Sequence, residues 1–248
     1  MPADGLATSV EGVGDRLVLV HGFTQTGRSW KVVADALSSH FEVVAVDAPG
    51  HGGSGSVRAG LPLAAQLLGD AGGLATYIGY SMGGRMCLQL ALDRPELVQR
   101  LVLISATAGI DGPTDRHARR KSDEALAGSI ERDGLDAFLV RWVAQPMFAG
   151  LRDPELDDRR RNTAAGLASS LRLAGAGAQE PLWDRLGQLS IPVLLLAGER
   201  DAKFVTLAER MAAAIAGADL AVVEGAGHTV HLERPRAFLD VVERWLSR

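Results

Sequence analysis

Gly79-Tyr80-Ser81-Met82-Gly83-Gly84 is the stretch on which the fold of this chain turns. It contains G-x-S-x-G, and it lies between an apolar run, Ala75–Ile78, and a helical stretch, Met82–Asp93. A strand that turns into a helix over so few residues forces the serine backbone into a strained conformation. Only small neighbours tolerate the crowding, and Gly79 and Gly83 supply them. The Ser81 hydroxyl is then held above the sheet, where a ligand can reach it.

Working outward, the same kind of short apolar run recurs at Arg16–Val20, Glu42–Val46, Leu101–Ile104, Pro192–Leu196 and Leu220–Val223. Each is nearly continuous in apolar residues rather than alternating, as a strand buried on both faces requires. Helical stretches at Trp30–Ser38, Thr206–Ala216 and Arg236–Leu246 fall between or after them. The alternation predicts an α/β fold with a mostly parallel central sheet flanked by helices. It breaks once. Residues 107–186 hold no convincing buried strand. They read instead as helices near Thr114–Arg132, Leu135–Val143, Pro154–Ala164 and Ala165–Leu173. The expected organisation is a core of residues 1–106 and 187–248 with a helical lid, 107–186, over one edge of the sheet.

Composition narrows the function. Of 248 residues 47% are hydrophobic and 23% charged, enough apolar surface for a packed globule and too much for a disordered chain. The net charge of −4 lacks the basic excess that phosphate neutralisation demands, so no nucleic-acid partner is expected. One cysteine, no apolar run near 18 residues and no signal-like start in Met1–Gly5 point to a cytoplasmic protein without a membrane span. Of the 26 basic residues only Lys31, Lys121 and Lys203 are lysines. Composition bias explains most of that, but arginine also binds carboxylates bidentately.

A serine hydroxyl needs a neighbouring base to act. Two motifs downstream of Ser81 offer partners: Gly198-Glu199-Arg200-Asp201 after one strand and Gly225-Ala226-Gly227-His228 after the last. Ser81, Asp201 and His228 are the candidate triad, in the chain order expected of a strand-elbow-helix site. Glu199 is the alternative acid. His231 is the rival base, read as packing or lining, and Asp47 is read as a turn former. The anion formed in such a site needs backbone N–H donors: Met82, which follows the serine, and Phe23 in His21-Gly22-Phe23. Cys87 reads as core. No Cys/His/carboxylate spacing suits a metal and no glycine-rich loop suits a nucleotide, so neither metal nor cofactor is expected.

Together these motifs resemble the α/β-hydrolase superfamily, which implies a helical lid inserted after the sixth strand. Further stretches are similar to one family within it, 2-succinyl-6-hydroxy-2,4-cyclohexadiene-1-carboxylate synthase of menaquinone biosynthesis. They are Gly79–Arg85, Arg119-Arg120-Lys121-Ser122-Asp123, Trp142 with Gln145-Pro146-Met147-Phe148, Gly198–Phe204 and Gly227–His231. The resemblance implies a lyase that eliminates pyruvate from a polycarboxylate cyclohexene, with the serine acting as a base. It also implies a carboxylate-binding role for Arg119, with Arg161 as the next candidate, and ring-lining roles for Tyr80 and Trp142. Arg85 stands four residues past Ser81, one helical turn and about 6 Å along the axis, in reach of a bound anion. Two other readings share the motifs: an ester or carbon–carbon bond hydrolase with Ser81 as nucleophile, and a ligand receptor without catalysis.

Overall fold

The computed structural model describes residues 5–151 and 156–248. The start Met1–Asp4 and the first two residues of the expected Pro154–Ala164 helix lie outside the described residues. Seven strands form one sheet: β1 (Thr8–Glu11), β2 (Asp15–Val20), β3 (Phe41–Val46), β4 (Ala75–Tyr80), β5 (Val98–Ile104), β6 (Val193–Gly198) and β7 (Asp219–Val223). Their order is β1-β3-β2-β4-β5-β6-β7. Only β1 runs antiparallel to its neighbour; every other pairing is parallel. Helices α1 (Lys31–Leu37), α2 (Leu61–Gly72) and α3 (Met82–Asp93) alternate with the early strands. Four more follow β5: α4 (Pro113–Asp133), α5 (Leu135–Val143), α6 (Leu156–Arg159) and α7 (Ala164–Ala174). The last three are α8 (Ala202–Ala214), α9 (Val230–Glu233) and α10 (Pro235–Leu246).

The continuous apolar runs serve two cores at once. On β5, Leu101 and Leu103 point into a core built with α2, α3 and α8. Val102 and Ile104 point into the opposite core, built with α1 and α10. β2, β3 and β6 divide in the same way, so successive residues of each strand are buried on alternate faces. The helices after β5 have an apolar cluster of their own, in which Ala127 and Ile130 of α4, Phe138 and Leu139 of α5, and Leu167 and Leu171 of α7 pack together.

Two features differ from expectation. The helical insertion opens after the fifth strand, not the sixth, because only five strands precede residue 107. One of those five, β1, carries no apolar run: its four residues are all exposed on the sheet edge, so hydrophobic patterning does not mark it. No helix among the described residues is long and apolar enough to cross a membrane.

The closest approach of α3 to the sheet is at Gly83. A Cβ there would meet the carbonyl oxygen of Val20 and, at 2.6 Å, that of His21. Both are backbone atoms and cannot rotate away. Gly83→Ala should therefore destabilise the fold by about 1–3 kcal/mol, as overpacking does. It should lower the urea midpoint without changing the slope. An unshifted midpoint would show that this contact does not set the strand–helix distance.

Candidate active site

Parallel strands end at one edge of the sheet, and the site is built from the loops that leave it. β4 ends at Tyr80 and α3 begins at Met82, so the whole turn rests on Ser81, at φ 51° and ψ −107°. The Ser81 N–H donates to the Ile104 carbonyl at 2.8 Å. A Cβ on Gly79 would lie 2.6 Å from the Gly83 carbonyl oxygen, and one on Gly84 2.6 Å from the Ala106 Cβ. The glycines thus allow the close backbone packing that holds a non-glycine residue at positive φ.

Asp201 follows β6 and His228 follows β7. The loops carrying them interlock: Arg200 N–H donates to the Ala226 carbonyl at 2.8 Å, and Glu199 N–H to that of Val223 at 3.0 Å. His228 Nδ1 lies 2.6 Å from Asp201 Oδ2, and its Nε2 lies 3.2 Å from Ser81 Oγ. A carboxylate only accepts, so Nδ1 carries the proton and Nε2 is left to accept from the serine hydroxyl. Glu199 is occupied elsewhere, accepting from Gly225 N–H at 2.8 Å. Asp47 accepts from Gly27 N–H and Gly53 N–H, each at 2.7 Å, and shapes its own turn.

Met82 opens α3, so its N–H has no intrahelical partner. Phe23 lies in the loop after β2, between two tied neighbours: Gly22 N–H donates to Gln25 Oε1 at 3.1 Å and Thr24 N–H to His51 Nε2 at 3.3 Å. Above this loop the rings of Phe23, Phe138, Trp142 and Phe148 form a cluster with centroids 5.2–6.3 Å apart. Phe148 reaches His228, at 6.5 Å. The indole N–H of Trp142 is buried and has no hydrogen-bond partner among the described residues.

Arg85 is buried, and the polar contact it makes is to a neutral amide, Gln179 Oε1, at 3.2 Å. Burial, with the charge of nearby Arg119 adding to it, pulls its pKa down to about 10. Arg119 itself is exposed and paired with Asp123 at 2.7 Å, an i,i+4 contact on α4.

Arg161 lies elsewhere, and Tyr80 lies beneath the site, its ring centroid 5.3 Å from that of His228. Arg161 is exposed and lines a separate cavity of about 450 Å³, with Arg28, Thr26 and Asp47. α6 ends at Arg159 and the chain then turns, so consecutive arginines point in different directions. Arg159 is the one turned inward: it is fully buried, it donates to Thr24 Oγ1, and it lies 5.8 Å from the centroid of the Phe148 ring. Tyr80 does not line an open site either. It is the last residue of β4, on the face turned toward α10, and its hydroxyl meets Thr229 Oγ1 at 3.1 Å.

The alpha/beta hydrolase family model matches residues 17–241. The chain belongs to the alpha/beta hydrolase family. It is 33% identical over 241 residues to a Klebsiella pneumoniae protein named 2-succinyl-6-hydroxy-2,4-cyclohexadiene-1-carboxylate synthase, with 93% of each chain aligned. Its fold is similar to that of MenH from S. aureus, at a TM-score of 0.88 and 28% identity over 98% of both chains. It is also similar to a thermophilic esterase from Thermogutta terrifontis with malate bound, at a TM-score of 0.82 and 26% identity, over 98% of this chain and 93% of that one.

In this hydrolase-family chain, one residue that motif reading passes over braces the triad. Glu233 accepts from Gly227 N–H at 2.7 Å and from Thr229 N–H at 3.0 Å, on either side of His228. Its signal in the sequence is only its position five residues after the histidine. Gln179 is likewise unmarked. The other histidines of the site region are structural. His21 Nε2 accepts from Ala48 N–H at 3.0 Å. His51 Nδ1 faces the Pro49 carbonyl at 3.0 Å. His231 is stacked on Trp30 at 4.1 Å with neither ring nitrogen hydrogen-bonded among the described residues.

Burial pulls the pKa of His51 and of His231 from 6.5 to about 3. Both rings are neutral in the folded chain and become charged in the unfolded one below pH 6.5, so the unfolded state binds more protons between pH 6.5 and 3. Their contribution is full above that window and is lost as pH falls through it. Replacing His231 by Phe should remove about one proton from the pH slope of stability in this window, read by urea unfolding at several pH values. An identical slope in the variant would show that His231 does not charge on unfolding.

Proposed function

We propose that this protein eliminates pyruvate from 2-succinyl-5-enolpyruvyl-6-hydroxy-3-cyclohexene-1-carboxylate to give 2-succinyl-6-hydroxy-2,4-cyclohexadiene-1-carboxylate, a step of menaquinone biosynthesis. What carries the reading is the meeting of two features in one place. A serine is hydrogen-bonded to a carboxylate-oriented imidazole, and one helical turn away stands a buried arginine whose hydrogen bond, among the described residues, is to a neutral amide. A buried charge without an acid partner is expensive. A polycarboxylate substrate supplies the missing countercharge.

In this reading Ser81 is a base. Its Oγ takes the proton from the ring carbon next to the succinyl ketone while its own proton passes to His228 Nε2. Asp201 holds the ring in the tautomer that can accept and stabilises the imidazolium that forms. The electron pair left on carbon spreads onto the ketone oxygen, where the N–H groups of Phe23 and Met82 meet it. Collapse of that enolate forms the second ring double bond and shifts the first. It also breaks the bond to the enolpyruvyl oxygen, and pyruvate leaves as its enolate and is then protonated. No acyl-enzyme forms.

The carboxylates of the substrate go to Arg85 and to Arg159, with Arg119 available if it releases Asp123. The Trp142 N–H and the Nε2 of Gln179, both without a hydrogen-bond partner among the described residues, add two neutral donors. The segment of residues 107–186 serves as the cover; its helices contribute Arg119, Trp142 and Arg159 to the site, and the loop after α7 contributes Gln179.

The test is pyruvate release from the enolpyruvyl precursor, followed with a coupled dehydrogenase. Ser81→Ala should lose at least about 10³-fold in rate, as loss of a triad member does. Arg85→Ala should weaken pyruvate release far more than hydrolysis of a neutral ester. Absence of pyruvate release by the native protein, together with an acyl-enzyme trapped on an ester, would sink the proposal in favour of a hydrolase.

A further inference from the structure

We infer that Asn162 is a positioning residue for the Phe23 amide, so that the helical cover helps to aim an oxyanion donor as well as closing the site. The inference rests on the proposed role of Phe23. Gly22 to Gln25 is a β-turn, with Gln25 N–H donating to the Gly22 carbonyl at 3.2 Å. Phe23 and Thr24 are its two central residues. Thr24 has φ 72°. A turn that needs positive φ at its third residue normally places glycine there. A β-branched threonine is an outlier in that region and stays only where its surroundings hold it.

What holds it comes largely from the inserted segment. The Thr24 carbonyl accepts from Asn162 Nδ2 at 2.7 Å, and Thr24 Oγ1 accepts from Arg159. The third tie is Thr24 N–H to His51. Asn162 is buried, and its amide is committed in three directions. Besides Thr24 it donates to the Arg159 carbonyl at 2.9 Å, and its Oδ1 accepts from Gly52 N–H at 2.9 Å. Only a side chain with a donor and an acceptor in one plane makes all three bonds. The insertion is seated firmly against this region, because a Cβ on Gly50 would lie 2.5 Å from the Gly166 carbonyl oxygen at the start of α7. If the tie to Asn162 is cut, the turn can relax toward the commoner form with negative φ at Thr24. The Phe23–Thr24 peptide then turns over, its Thr24 N–H leaves His51 Nε2, and the Gly22–Phe23 peptide that carries the Phe23 N–H shifts with the loosened turn.

Asn162→Asp tests this. The carboxylate still accepts from Gly52 N–H and cannot donate to the Thr24 carbonyl. We expect kcat for pyruvate release to fall about 10- to 100-fold with KM within about threefold, since no side chain assigned to the substrate is replaced and the loss falls mainly on a misaimed oxyanion donor. Affinity for an aryl trifluoromethyl ketone should fall in parallel. Ser81 Oγ adds reversibly to its carbonyl carbon, the hydroxyl proton passes to His228, and the new oxyanion sits on the same two N–H groups. This second readout works whichever reaction the protein catalyses. If the native protein releases no pyruvate, the functional reading fails while the ketone still tests Asn162.

The third arm repeats the change in a Thr24→Gly background. Glycine takes positive φ without strain, so there Asn162→Asp should cost less than about threefold. An equal loss in both backgrounds, or unchanged kcat and ketone affinity in the folded variant, would overturn the inference. If Asn162→Asp does not fold, Asn162→Ser is read by the same criteria.

Discussion

The constraint on which this molecule depends is the backbone of one residue. Ser81 stands at φ 51° because β4 and α3 meet there with no intervening loop. That conformation is unfavourable for a residue with a Cβ. It persists because three glycines let the strand end, the helix start and the neighbouring strands close to backbone contact around it. The strain then does two things at once. It turns the serine hydroxyl toward the loop after β7, and it leaves the first N–H of α3 free beside it. The direction of the serine hydroxyl and the placing of the Met82 N–H therefore have a single cause.

The remaining groups arrive because the strands are parallel. β2, β4, β6 and β7 all end at the same edge, so Phe23, Ser81, Asp201 and His228 converge although more than 200 residues separate the first from the last. Convergence alone does not give angstrom-level placement. That comes from polar groups buried under the loops. His21 ties the loop after β2 to Ala48 after β3, and His51 ties Thr24 to its own loop. Glu233 clamps both amides that flank His228. The two histidines are buried and Glu233 is half-buried, and each makes its hydrogen bonds inside the protein, which suits a support that must not move when the reacting groups change charge.

Much of this was legible in the sequence, and the division follows the physics. Five of the apolar runs mark β2 to β6 because burial on both faces demands it; the sixth marks β7, an edge strand that is mostly exposed, and α3 and α5 are read to the residue because glycines and turns bound them. Edge strand β1 has no such demand on its residues and left no pattern. That Ser81, His228 and Asp201 would come together was readable because strand ends, small residues and chain order all constrain them. Among the arginines the reading failed at Arg161, because three in a row satisfy any pattern and only the turn after α6 decides that Arg159 faces inward. Tyr80 was read by its neighbour Ser81, whereas the strand's alternation sends its ring into the core beneath. Gln179 and Asn162 act through hydrogen bonds that span 94 and 138 residues, which no local pattern encodes.

A serine, an imidazole, a carboxylate and two amides are equally suited to acyl transfer and to proton abstraction, and the similarity in fold to an esterase and to MenH alike says the same. What can separate the two reactions is the field around that shared set. An esterase site can leave its walls apolar. Here Arg85 and Arg159, both buried, stand beside an aromatic cluster and two neutral donors without partners among the described residues. In a low-dielectric setting such positive charges favour whatever brings negative charge to them. They favour a polyanion in the ground state, and as the ring carbon loses its proton they favour the growing enolate as well. In the proposed reaction the charge that would select the substrate also eases the removal of the proton, and Ser81 with His228 and Asp201 need contribute only a base in the right place.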